Sequence, residues 1–150
     1  MKKLKKHLAV LCLLSVFVAG VFAAKKTTTI ESDDGDDVEL VGTWRANYGG
    51  AKRTLTLGDD GDFKMSAWVD YGGPSQISRL PDGTLTTKMG VIVSGSWSVK
   101  NDRLRLNIDD VMSTFDEVDV YSGMTRSLSI EAISNSQILL DGDIWWKHVE

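Results

Sequence analysis

From Val38 onward, apolar residues recur at every second position, in short runs separated by glycine- and aspartate-rich breaks. That period belongs to strands with one buried face, because successive side chains of an extended chain point to opposite sides. Val38, Leu40, Gly42, Trp44, Ala46 and Tyr48 share one face, with Glu39, Thr43, Arg45 and Asn47 opposite. Leu55 and Leu57 alternate with threonines, and Phe63, Met65, Ala67, Val69 and Tyr71 form the next inward set. Residues 85–93 read as one strand with an irregularity at Gly90, followed by Gly95, Trp97 and Val99 between serines. Leu104, Leu106 and Ile108, then Leu128, Ile130 and Ala132, continue the pattern, and a last hairpin pairs residues 137–140 with 144–149. Residues 109–122 are ambiguous: Val111, Phe115 and Val118 fit a short helix, Val118 and Val120 a strand.

The breaks carry turn chemistry. Gly49-Gly50, Asp59-Asp60-Gly61-Asp62, Pro81-Asp82-Gly83, Asn101-Asp102 and Asp141-Gly142-Asp143 supply the positive φ and side-chain bonds that tight turns require. Eight to ten short strands joined this way must bury their apolar faces together, by pairing two sheets or closing into a barrel. Short connections in sequence order favour an all-β, antiparallel up-and-down β-barrel of about eight strands.

Residues 1–24 have a different character. Four lysines precede an apolar run of about 15 residues and then small residues, the layout of a secretory signal peptide. Val21 and Ala23 suit a cut before Ala24, and the run is short of the roughly 20 residues that span a bilayer. The pattern predicts a secreted or periplasmic protein without stable membrane insertion after cleavage. Residues 25–37 are polar and acidic, with Ile30 the only large apolar side chain, and read as a flexible leader. The domain proper is then 38–150.

Removing Lys2, Lys3, Lys5 and Lys6 from 17 basic residues leaves 13 against 21 acidic ones, a formal charge of −8. Such a chain repels nucleic acid and anionic lipid. Its only cysteine, Cys12, lies in the export segment, and His148 is the only histidine beyond it. Thiol chemistry, a disulfide framework and a Cys/His zinc site are excluded for the mature chain. No metal or other cofactor is expected. The acidic clusters Asp33-Asp34-Gly35-Asp36-Asp37 and Asp59–Asp62 lack the spacing of a calcium loop. Neither the Asp109-Asp110 and Asp116-Glu117 pairs nor His148 with Ser127 or Ser129 form a spacing that positions groups for catalysis. The chain reads as non-enzymatic.

In order, Gly42-Thr43-Trp44, the Leu55–Leu57 strand, Asp60-Gly61-Asp62-Phe63, Gly95-Ser96-Trp97, and Asn101-Asp102 before Leu104-Arg105-Leu106 resemble the small bacterial lipocalin-like domains of envelope proteins. The resemblance spans residues 38–149 and implies a calycin-type barrel that binds small apolar molecules. It also offers Arg126 as the arginine that stacks on the signature tryptophan. Inward residues that would line a cavity are Trp44, Tyr48, Phe63, Met65, Trp97, Leu104, Leu106, Leu128 and Ile130. Alternatively Trp44 and Trp97 plug the floor, as side chains commonly fill an eight-stranded barrel. Trp68 falls on the outer face, and one of the adjacent Trp145 and Trp146 must do so too, which offers a surface for an envelope protein partner. The expected function is non-catalytic binding of a small hydrophobic or amphipathic ligand, or else protein interaction as an inhibitor or accessory factor with a filled barrel.

Overall fold

A computed structural model describes residues 28–70, 78–79, 85–86, 88–115 and 118–149. Residues 1–24, expected to direct export, both prolines and the Asp116-Glu117 pair lie outside the described residues. Among the described residues twelve strands follow one another: β1 (Thr29–Glu31), β2 (Asp37–Glu39), β3 (Gly42–Tyr48), β4 (Ala51–Leu57), β5 (Asp62–Asp70), β6 (Ser78–Arg79), β7 (Leu85–Thr86), β8 (Lys88–Val99), β9 (Arg103–Ser113), β10 (Thr125–Ser134), β11 (Gln137–Leu140) and β12 (Asp143–His148). Eight of them close into an antiparallel barrel in the order β10-β11-β12-β3-β4-β5-β8-β9, so neighbours in sequence are neighbours in space. No helix occurs among the described residues.

The turns explain why the barrel closes with so little connecting chain. Asn101 and Asp102 (φ 52° and 54°) and Asp141 with Gly142 (φ 48° and 87°) adopt the left-handed pair whose twist matches that of the flanking strands. Asn and Asp tolerate this region better than other non-glycine residues.

One end of the barrel, here the floor, carries the hairpins at 58–61, 101–102 and 135–136. The stretch expected to be a flexible leader differs from Thr28 onward. Ile30 and Val38 pair across a β1–β2 hairpin and, with Leu40, join the buried cluster of the barrel. Ser32 bridges Ala132 of β10. A single isoleucine suffices because Val38 and Leu40, both fully buried, give it a surface to pack on.

The ambiguous region begins as a continuation of β9, through a bulge, as far as Ser113, and Phe115, Val118 and Val120 lie in neither a strand nor a helix. Gly95 pairs with Ile108 while Ser94 pairs with Asp110, leaving Asp109 as the extra residue. The bulge shifts the inward positions from Leu104, Leu106 and Ile108 to Val111, so the apolar period breaks in the sequence while the strand continues. A Cβ on Gly95 would run into the backbone carbonyl of Asn107, which explains a glycine at this approach.

Candidate functional site

The inner wall divides into two halves. At the floor Trp44, Leu55, Leu57, Trp97, Leu104 and Leu106 are each 1% exposed or less, and Phe63 and Ile130 are also buried. Both tryptophans are anchored through their one polar atom. Trp44 Nε1 donates to the Leu40 carbonyl (2.8 Å), and Trp97 Nε1 donates to the Gly58 carbonyl (2.9 Å). Trp97 also uses its backbone N–H on the Gly61 carbonyl, which fastens the second Gly-x-Trp strand to the β4–β5 turn. Satisfied indole N–H groups make these side chains parts of the packed floor.

The cation over the signature tryptophan is not Arg126. Lys147 of β12 places Nζ 5.3 Å from the Trp44 ring centre and donates to the Glu39 carbonyl at 2.6 Å. Its chain passes over Gly42, where a Cβ would lie 3.2 Å from Lys147 Cε. Arg126 sits opposite Leu106 on β10, remote in register from β3. The reason is pairing: β12 is hydrogen-bonded to β3 with Lys147 opposite Trp44, and that position needed only a long cationic side chain.

Toward the mouth the inward residues Val91, Val111 and Met124 are only partly buried, as are Met65 and Leu128, which pair across strands with Leu55 and Leu104, and Val99 beside the 101–102 turn. The difference follows from strand length. β8 and β9 run 12 and 11 residues, whereas β11 and β12 run 4 and 6. The β11–β12 hairpin stops level with Ser129, whose carbonyl accepts from Asp141 N (3.0 Å) and whose N–H donates to Asp141 Oδ1 (2.7 Å). Beyond that point Arg126 and Leu128 pair with β9 on one side and, among the described residues, with no strand on the other. The wall therefore has a notch at the mouth.

Polar groups also gather there. Arg53, inward on β4, donates from Nη1 to Asp143 Oδ2 at 2.8 Å and lies 5.0 Å from the Trp145 ring centre and 5.3 Å from that of Tyr48. Tyr48 is 67% exposed at the rim. Arg53 Nε and Trp145 Nε1 are buried donors without a partner. Of the residues expected to line a cavity, Met65 and Leu128 are thus partly buried against the core and Tyr48 stands at the rim, with the other six buried.

The outer aromatics separate as well. Trp145 is buried inside, whereas Trp146 is 47% exposed outside. Trp68 is outward and partly buried, its indole lying against Gly90, where a Cβ would meet ring atoms Cε3 and Cδ2. Sequence reasoning missed Lys147 and Arg53. The signal for both was alternation, since each falls on the inward face of its strand.

Among the described residues no three His, Cys, Asp or Glu side chains come together to hold a metal ion. Asp60 instead accepts from the Asp62 N–H in its own turn, and Asp141 from the Ser129 N–H of the neighbouring β10. The Ser127 hydroxyl accepts from Arg103, the Ser129 hydroxyl donates to Asp141, and His148 lies across from Thr43. A separate crevice of about 550 Å³ lies where β1 meets β10, lined by Ile30, Glu31, Asp33, Asp102, Ile130 and Glu131 among others. No family model, curated protein or solved structure matches the chain.

Proposed function

We propose that this chain is an exported, non-catalytic, lipocalin-like binding protein whose open half takes up a small hydrophobic or amphipathic molecule. The observation that carries this reading is the graded inner wall, with a floor sealed by two tryptophans beneath apolar side chains still within reach of solvent. A concave apolar surface with few polar groups is the usual form of a small-molecule site. The lysine over the tryptophan of Gly42-Thr43-Trp44 supports the lipocalin-like assignment. The signal-like first 24 residues support export to the periplasm or the medium.

The test is binding of N-phenyl-1-naphthylamine, a neutral apolar fluorophore, to the purified protein. Enhanced probe fluorescence with saturation, reversed by a medium-chain alcohol, is the expected result. Absence of saturable enhancement overturns the reading.

One observation favours a second reading, an envelope protein-interaction module with a filled barrel. Leu139 pairs across strands with the exposed Ile144, and exposed Trp146 and Ile133 stand on the same outer face. Contiguous exposed apolar residues of this kind mark partner surfaces. That reading predicts no uptake of the fluorophore.

A further inference from the structure

We propose that Arg126 anchors the anionic headgroup, a carboxylate or phosphate, of an amphipathic ligand whose apolar part lies along the open half of the barrel. The inference rests on the binding reading above and adds the ligand's charge and the residue that reads it.

Three cations among the described side chains face the barrel interior: Arg53, Lys147 and Arg126. The first two are matched. Arg53 has Asp143 and two aromatic rings, and Lys147 has the Glu39 carbonyl and the Trp44 ring. Arg126 differs. Its cross-strand partner is the buried Leu106, its neighbours along the same face of β10 are Met124 and Leu128, and it is partly buried. No hydrogen bond, ion pair or ring contact is made by its side chain among the described residues. Among the described residues no acidic side chain pairs with Arg126, whereas Arg53, the other inward guanidinium, has Asp143.

A guanidinium flanked by aliphatic side chains gains strongly from an anion, because charge-assisted and bidentate hydrogen bonds strengthen as water is excluded. Access is provided by the notch beside β10, where the β11–β12 hairpin has ended. Leu128 and Met124 flank the position and would meet the first carbons of a ligand chain. The buried atoms lacking partners on the inner wall, Arg53 Nε and Trp145 Nε1, are donors too. Apart from the Asp143 carboxylate that Arg53 already uses, these donors have no acceptor among the described residues, and an anionic ligand would supply one.

The experiment displaces N-phenyl-1-naphthylamine with dodecanoate, dodecyl phosphate, dodecanol and dodecylamine, each below its micellar concentration. It uses the wild type, Arg126→Gln, Arg126→Lys and, as a charge control on the outer face, Arg45→Gln. Dodecanoate or dodecyl phosphate should displace at concentrations about tenfold lower than dodecanol, the advantage expected of one partly buried charged hydrogen bond. Which of the two wins identifies the headgroup. The advantage should vanish in Arg126→Gln and persist in Arg126→Lys and Arg45→Gln, with melting temperatures showing that each variant is folded. Equal displacement by dodecanol and the two anions in the wild type leaves the binding reading standing and overturns the anchor. So does an anion advantage that survives Arg126→Gln. Should Arg126→Gln fail to fold, Arg126→Met takes its place, with loss of the advantage expected and its survival overturning the anchor. A probe that does not bind at all removes the binding reading, and the anchor with it.

Discussion

At the floor of the barrel Trp44, Leu55, Leu57, Trp97 and Leu104 are shut away from water, while Met65, Val91 and Leu128, on the same or neighbouring strands, stay within its reach. The residue types hardly differ between the two ends. What differs is what covers them. The floor has two tryptophans, the Lys147 chain and the β1–β2 hairpin, whereas the mouth has long β8 and β9 rising past a short β11–β12 hairpin. Apolar composition therefore does not say whether a barrel position is core or cavity wall. Strand length and end-capping do.

The strongest way to break this comparison is to empty the floor. Trp44→Ala removes a fully buried indole whose N–H is bonded to Leu40. The expected loss is about 3–5 kcal/mol, the range for large core aromatics cut to alanine, measured as a shift in denaturant midpoint. Leu128→Ala at the mouth, where solvent already reaches the side chain, should lose clearly less. Equal midpoints would mean that the two halves are not built differently.

A second test adds an atom instead of removing one. Gly95→Ala puts a Cβ against the Asn107 carbonyl opposite the β9 bulge, a contact with backbone that cannot move aside without disturbing the pairing. Overpacking of this kind costs about 1–3 kcal/mol. Loss of amide-exchange protection centred on β8 and β9 should accompany it.

These two sites also show what was legible in the sequence. Gly42-Thr43-Trp44 and Gly95-Ser96-Trp97 announced themselves through alternation and spacing, and the eight-stranded barrel followed from the turns between such runs. The bulge at Asp109 did not, because one inserted residue exchanges the faces of a strand, so the apolar period breaks at Val111 although β9 runs on to Ser113. The β1–β2 hairpin was hidden for another reason: its stability comes from Val38, Leu40 and Ala132 outside the acidic segment, and local composition reports only Ile30. At the mouth, the partly exposed apolar residues were readable as inward positions. Their exposure was not, since it depends on where β11 and β12 stop.

Asp143→Ala should have a smaller effect, about 1 kcal/mol or less, because both partners of the Arg53 ion pair remain partly in contact with water. The change leaves Arg53 held only by the Tyr48 and Trp145 rings. A double-mutant cycle with Arg53→Gln, read by urea denaturation, measures the coupling. A coupling well above 1 kcal/mol would make the mouth more rigid than its exposure implies.

The smallest effect belongs to Trp146, and it separates two residues that the sequence places side by side. Trp145 is 2% exposed and packs inside the barrel, with Arg53 over its ring. Trp146 pairs with Gln137 and Arg45 on the outer face and is nearly half exposed. Truncating it removes little buried area and leaves no cavity, so Trp146→Ala should change stability by about 0.5 kcal/mol or less. Trp145→Ala, by contrast, should approach the loss at Trp44. Acrylamide quenching of single-tryptophan variants gives an independent reading, with Trp146 quenched readily and Trp145 protected. If Trp146→Ala were instead as damaging as Trp145→Ala, the outer face of β12 would have to be covered in the folded protein, and the surface available to a partner would disappear with it.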